Sequence, residues 1–189
     1  MKKRHKGIFK YVLAALLASG VILTGYFGQK MVLKQIYPLR YGNFVYKYSE
    51  LYNLDPYFVF AIIKAESNFN PRATSGKNAR GLMQITDKTG RWIAWMMKLE
   101  YRENESLYDP ETNIGMGCWY LCWLMKQFNN DTDLVIAAYN GGSGRVNEWL
   151  KDKNLSMSGS SLDRIPFKET NNFLFRVKNN YSIYKKLYE

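Results

Sequence analysis

Residues 54–71 admit one local structure and little else. Leu54-Asp55-Pro56 begins a helix. The Asp55 carboxylate can accept from the free N–H groups of a first turn, and proline fits the first helical position, where its missing N–H would have no partner anyway. Phe58, Ala61, Ile62 and Ala65 then recur on one face at helical spacing. Asn70-Pro71 closes the element, because a residue before proline is pushed out of the helical region. Glu66 falls on the last turn, beside the apolar face. Burial disfavours a charged carboxylate, so a glutamate in that setting can keep its proton near neutral pH and act as a general acid. The plain alternative is a solvated glutamate at a helix end.

The rest of the composition narrows the chemistry. His5 is the sole histidine and lies in a basic N-terminal stretch. A Ser-His-Asp triad, a Cys-His pair and a His-ligated zinc are therefore excluded from the remainder. Cys118 and Cys122 are four residues apart on one helix face. Side chains so placed run side by side, which suits neither a disulfide nor, without other ligands, a metal. They read as small core residues, and no metal or organic cofactor is expected. Catalysis is left to carboxylates.

Six of the 27 basic side chains, but none of the 16 acidic ones, fall in the first 30 residues. The basic stretch is followed by an uncharged run, residues 11–28 (YVLAALLASGVILTGYFG). As a helix it would span about 27 Å, most of a bilayer core. The expectation is a single membrane anchor with its basic flank cytoplasmic and the rest extracytoplasmic. A cleavable signal peptide is the alternative, with Ala18-Ser19-Gly20 as a loose cleavage site. The domain organisation is then residues 1–30 as basic tail and anchor, and residues 31–189 as one domain. The milder positive surplus of that domain suits an anionic polymer or a membrane surface. Nucleic acid is not an expected partner: no basic run is interleaved with aromatics, and no helix-turn-helix or ribonucleoprotein motif occurs.

Along the domain, the apolar pattern predicts a mainly α fold with one small extended or β element. Residues 30–39 form a connector. Helices are expected over 43–54, over the Glu66 segment, from a Thr86-Asp87 cap through Trp92, Trp95 and Met96, over 112–128, from Asp131 to Asn140-Gly141-Gly142, over 146–150 and over 168–188. Phe175, Val177, Tyr181, Tyr184 and Leu187 are apolar residues of the last. Pro71 to Arg80 reads as a loop, and Gly81 to Ile85 as a small strand or a buried extended piece.

Fifteen residues after Glu66 comes Gly81-Leu82-Met83-Gln84-Ile85. Later come Ala137-Ala138-Tyr139-Asn140-Gly141-Gly142 and Ile165-Pro166-Phe167-Lys168-Glu169-Thr170. With the Glu66-Ser67 pair, this ordered set resembles the catalytic domain of the soluble lytic transglycosylase family, relatives of goose-type lysozyme, over roughly residues 40–189. The resemblance implies a lysozyme-like fold acting on peptidoglycan glycan strands outside the cytoplasmic membrane. It also implies that one carboxylate suffices. The glutamic acid, here Glu66, would protonate the bond between N-acetylmuramic acid and N-acetylglucosamine. It would then deprotonate the muramoyl C6 hydroxyl, giving a 1,6-anhydro product.

The same resemblance implies substrate-binding roles for Ser67, Ser75, Met83, Gln84, Tyr139, Asn140 and Glu169. Met83 and Gln84 would form the floor and wall of the sugar groove, and Tyr139 would approach the acid. Each has a plainer reading as a helix-end, loop, core or dipole-complementing residue. Two departures stand out. Asn78 occupies a position usually held by glycine, which it can fill because asparagine accepts positive φ. Asn171 and Phe173 replace a more usual arginine and tyrosine. A lysozyme-type hydrolase and a wall-binding module without activity are the alternatives. No motif names a protein partner in the envelope.

Overall fold

The computed structural model describes residues 27–102 and 105–189. The chain divides into two units between Pro38 and Leu39. The run expected to anchor the chain in a membrane lies outside the described residues, except for Phe27 and Gly28. In the first unit, residues 27–36 are helical. Among the described residues no helix is long and apolar enough to cross a membrane.

The second unit is mainly helical: α1 (Gly42–Tyr52), α2 (Pro56–Ser67), β1 (Ala79–Arg80), β2 (Ile85–Thr86), α3 (Asp87–Met97), α4 (Pro110–Gln127), α5 (Thr132–Gly141), α6 (Ser143–Lys151) and α7 (Lys168–Tyr188). Its helix starts are chemically explicit. Asp55, Asp109 and Asp131 accept from the Tyr57, Thr112 and Leu134 amides at 2.8, 2.8 and 3.0 Å, and Thr86 accepts from the Thr89 amide at 3.3 Å. Each such cap satisfies a donor the helix cannot, and is worth about 1 kcal/mol.

Helix α2 is the centre of the core. Phe58 through Ile63 are all buried, so the helix is enclosed on every side rather than along the single face its spacing predicts. It packs on α7 and α1, while α5 packs on α7 and α6. Each large apolar side chain so enclosed contributes about 1.5–3 kcal/mol. An aromatic seam joins α2 to α7: Phe60 stacks on Tyr184 at 5.7 Å and Phe58 meets Tyr181 edge-on at 5.9 Å. Asp55 fastens the same joint, since its second oxygen accepts from the Tyr181 hydroxyl at 2.7 Å. Helix α2 ends where Asn68 and Phe69 both take positive φ, 50° and 64°. Buried Phe69 then lies 6.3 Å from Phe60.

Two local expectations need correction. Residues 79–80, read as the end of a loop, pair antiparallel with residues 85–86, Ala79 opposite Thr86 and Arg80 opposite Ile85. Residues 81–84, read as strand or extended chain, form the turn between them. Gly81 and Gln84 have φ values of 76° and 49°, which an extended chain cannot have. In addition, Trp95, Met96 and Phe175 point to solvent. Trp92 instead turns inward, against Trp119, Tyr120 and Trp123 at 5.0–6.0 Å.

Candidate active site

The turn Gly81–Gln84 is held by two backbone hydrogen bonds, from the Gly81 amide to the Ala73 carbonyl at 3.0 Å and from the Gln84 amide to the Gly81 carbonyl at 3.3 Å, and by a larger set of side-chain bonds. The Met83 amide donates to Asn113 Oδ1 at 2.7 Å. Asn113 Nδ2 in turn donates to the carbonyls of Arg80 and Leu107 at 3.1 and 2.9 Å. The Tyr139 hydroxyl donates to the Met83 carbonyl at 2.8 Å, and the Ser67 hydroxyl to the Leu82 carbonyl at 2.8 Å. Gln84 Nε2 reaches the carbonyls of Gly81 and Ala73 at 2.9 and 3.1 Å. Helices α2, α4 and α5 therefore each send one polar side chain into a single turn.

Above this turn lies a cavity of about 730 Å³. Of the residues singled out from the sequence, Glu66, Ser75, Gln84, Tyr139, Asn140 and Glu169 line it. Ser67 and Met83 are not among its lining residues. The Ser67 proton is committed to the Leu82 carbonyl, within the protein. Met83 is fully buried, with its sulfur packed where a β-carbon at Gly117 would sit 2.2 Å away. Both support the site from beneath. Ser67→Ala leaves the Leu82 carbonyl without its donor and is expected to cost about 1–2 kcal/mol. A thermal melt checks this, and a midpoint within experimental scatter of wild type would contradict it.

Glu66 is part-buried, and no residue among those described donates a hydrogen bond to it. Burial pushes its pKa from 4.5 to about 8; the Glu169 charge adds to the rise and Arg176 opposes it. Tyr139 has its own pKa held far above the ordinary value, by burial first and by the Glu66 charge second. Its only O–H points at Met83, so toward the cavity this oxygen can act only as an acceptor. That arrangement also favours a protonated Glu66.

Ser75 shapes the loop. Its hydroxyl accepts from the amides of Lys77 and Ala79 at 3.2 and 3.1 Å. Asn78 completes the turn with φ of 58°, the conformation that its replacement of glycine demands. Asn140 accepts from the Thr170 hydroxyl at 2.9 Å. Glu169 pairs with Lys77 at 2.7 Å, an exposed contact joining the loop to the start of α7. Asp87, the other carboxylate close to Glu66 in sequence, is absent from the cavity lining and engaged elsewhere. It accepts from the Tyr101 hydroxyl at 2.8 Å and from Arg80. Burial alone would raise its pKa, but these bonds and the Arg80 charge outweigh it and hold the carboxyl below its usual range. Among the described residues no three His, Cys, Asp or Glu side chains gather as metal ligands.

Among the lining residues that sequence reasoning missed are Lys77, Lys88, Tyr120 and Arg145. Tyr120 lies off the apolar side of α4 and leans on Tyr139, ring centroids 5.5 Å apart. Burial pushes its hydroxyl up to about 12. Nothing in its spacing marks it. Arg145 could have been found, since it follows Gly142 by three residues, and Lys88 adjoins the Thr86-Asp87 helix start.

Comparison with known proteins bears on this arrangement. The family described as "Transglycosylase SLT domain" matches residues 43–157. The soluble lytic murein transglycosylase of Salmonella typhimurium is 34% identical over 147 residues, covering 77% of this chain and 23% of that protein. The membrane-bound lytic murein transglycosylase C of Sodalis glossinidius is 32% identical over 168 residues, covering 78% of this chain and 47% of that protein. The crystal structure of the 70 kDa soluble lytic transglycosylase of Escherichia coli superposes with a TM-score of 0.73 at 32% identity. That match covers 82% of this chain and 25% of the larger one. The chain thus spans 23–47% of the length of these relatives. With a family match over more than half of its residues, the chain belongs to the transglycosylase SLT domain family.

Proposed function

We propose that this protein is a peptidoglycan lytic transglycosylase. It cleaves the β-1,4 bond between N-acetylmuramic acid and N-acetylglucosamine and leaves a 1,6-anhydro muramoyl end. The observation that carries the reading is Glu66: a carboxyl without a hydrogen-bond donor among the described residues, whose pKa burial raises to about 8, lining a cavity of about 730 Å³. In the first step the Glu66 proton passes to the bridging oxygen and the C1–O bond breaks. The developing charge at C1 is then captured by the C6 oxygen of the same sugar, whose proton goes to Glu66. No water is consumed and the acid is restored. The burial that retains the proton also makes the resulting carboxylate a strong base, so one residue serves both steps. Ser75, Gln84, Tyr139, Asn140 and Glu169 contact the glycan in this reading, while Ser67 and Met83 hold the groove floor.

Residues 11–28 anchor the chain in the cytoplasmic membrane in the same reading, with residues 31–189 as the catalytic domain on the outer side. Some relatives are named as membrane-bound, which supports an envelope location. Mass spectrometry of fragments released from purified peptidoglycan by the full chain tests the reaction. Anhydro ends, lighter by one water than reducing ends, are expected. Reducing ends would make the protein a lysozyme-type hydrolase, and no release by a folded, wall-binding protein would make it a binding module.

A further inference from the structure

Apart from tyrosines, five ionisable groups line the cavity: Glu66, Glu169, Lys77, Lys88 and Arg145. Only one cation is neutralised, Lys77 by Glu169. Arg145 donates through Nη1 to the Gly141 carbonyl at 2.7 Å and lies over the Phe167 ring at 5.0 Å. Both contacts fix its position without compensating its charge. Among the described residues no carboxylate pairs with either Lys88 or Arg145. The cavity thus carries an excess of positive charge next to its acid.

Folding does not account for Lys88. It is exposed and sits in the first turn of α3, beside the helix start. The helix field disfavours a cation there. Its neighbour Asp87 is already engaged by Arg80 and Tyr101. Lys88 is thus a cavity-lining cation whose place in the helix brings the fold no gain.

We propose that Lys88 and Arg145 form an anion-reading wall of this cavity, which takes a carboxylate carried on the glycan's lactyl-peptide substituent. The inference rests on the glycan-cleaving reading above and adds a determinant of which glycan is accepted. A β-1,4 chain of N-acetylated sugars is itself uncharged. The anions it can present are the free carboxylates of its peptide stems or, where stems have been removed, the lactyl carboxylate left behind. Arg145 is pre-set for such a group, because one edge of its guanidinium is anchored and the remaining donors are open to a planar acceptor. Lys88 adds a mobile point charge.

The test uses the full chain in detergent, with binding read by titration calorimetry and cleavage by initial release rate. Three glycan preparations are compared: one bearing stems with free carboxylates, the same with every carboxylate amidated, and one stripped of stems by an amidase. Lys88→Ala is expected to weaken binding to the free-carboxylate glycan by about 5-fold, and Lys88→Glu by more, with little change on the amidated glycan. Arg145→Lys, which keeps charge but loses the fork, is expected to fall between wild type and Lys88→Ala. Lys151→Ala, exposed and outside the cavity, should match wild type. Lys88 dependence retained on stripped glycan assigns the lactyl carboxylate as the group read; dependence lost there assigns the stem. An equal loss on amidated glycan, an equal loss from Lys151→Ala, or no loss from Lys88→Ala would each overturn the proposal. Binding is measured in the Glu66→Gln background, which has no turnover. An intact Lys88 effect with no release by wild type would therefore leave the anion wall standing and remove the transglycosylase reading.

Discussion

Glu66→Gln is expected to lower glycan release by about 10²–10⁴-fold while leaving glycan affinity almost unchanged. Glutamine keeps the shape and hydrogen-bonding reach of the side chain but has no acidic proton to give, so the loss should appear in kcat and not in KM. In the wild type, activity should decline above about pH 8, where Glu66 loses its proton. The same substitution should act in the opposite direction on stability. A carboxyl whose pKa rises from 4.5 in the unfolded chain to about 8 on folding binds more protons in the folded state between those values. Stability therefore falls as pH rises through that window, and is greatest below it. A shift of that size corresponds to at most ~5 kcal/mol, and solvent screening of this part-exposed group reduces it to about 2 kcal/mol. At pH 8 the glutamine variant should melt about 4–8 °C above wild type, and near pH 4.5 the two should coincide. Parallel melting curves across this range would show that Glu66 is not held protonated by its surroundings. Unchanged release by the variant would remove Glu66 from the chemistry altogether.

Gly81→Ala is expected to be the most damaging single-methyl change in the domain. Gly81 has φ of 76°, and a β-carbon there would lie 2.0 Å from the Leu107 carbonyl oxygen and 2.4 Å from Asn113 Nδ2. Left-handed backbone costs alanine about 1 kcal/mol. The clash adds more, because the obstructing atoms are a backbone carbonyl and a buried amide whose three hydrogen bonds hold the turn. Asn113 cannot retreat without orphaning the Met83 amide and two carbonyls. A loss of about 4 kcal/mol or more is expected, a large share of a typical domain's stability. Denaturant unfolding would measure it, and a midpoint close to wild type would mean that the clasp around Gly81 yields easily. Release should fall together with stability here, unlike in Glu66→Gln.

These two residues differ in how visible they are in the sequence. Glu66 is legible because its setting is local: a capped start, an apolar helix and a proline stop fall within 18 residues. The other helices are legible for the same reason, Asp109-Pro110 and Asp131 as much as Asp55-Pro56. The groove floor is not. Residues 81–85 are too short an apolar run to show a period, and their turn depends on partners 15, 30 and 56 residues distant in sequence. Asn113 carries no mark of its role, since an asparagine one turn into a helix usually faces water. The resemblance implies substrate contacts for Ser67 and Met83, whereas hydrogen bonding and close packing set both beneath the cavity and off its lining. Tyr120 went unseen because an aromatic on an apolar helix reads as core.

The dependence of the floor on three helices also orders events during synthesis. Glu66 sits on a helix whose cap and end lie within residues 55–71, so its start and stop are set locally, although its burial awaits α7. The floor opposite it needs Asn113 for the Met83 amide and Tyr139 for the Met83 carbonyl. Closing loops of that length comes after local helix formation. A chain emerging from the ribosome thus carries the local signals for its acid's helix long before it can close a cleft around that acid. In the proposed reading, cutting competence arrives only when residue 139 has joined the fold, which would keep a partly made chain from acting on the glycan.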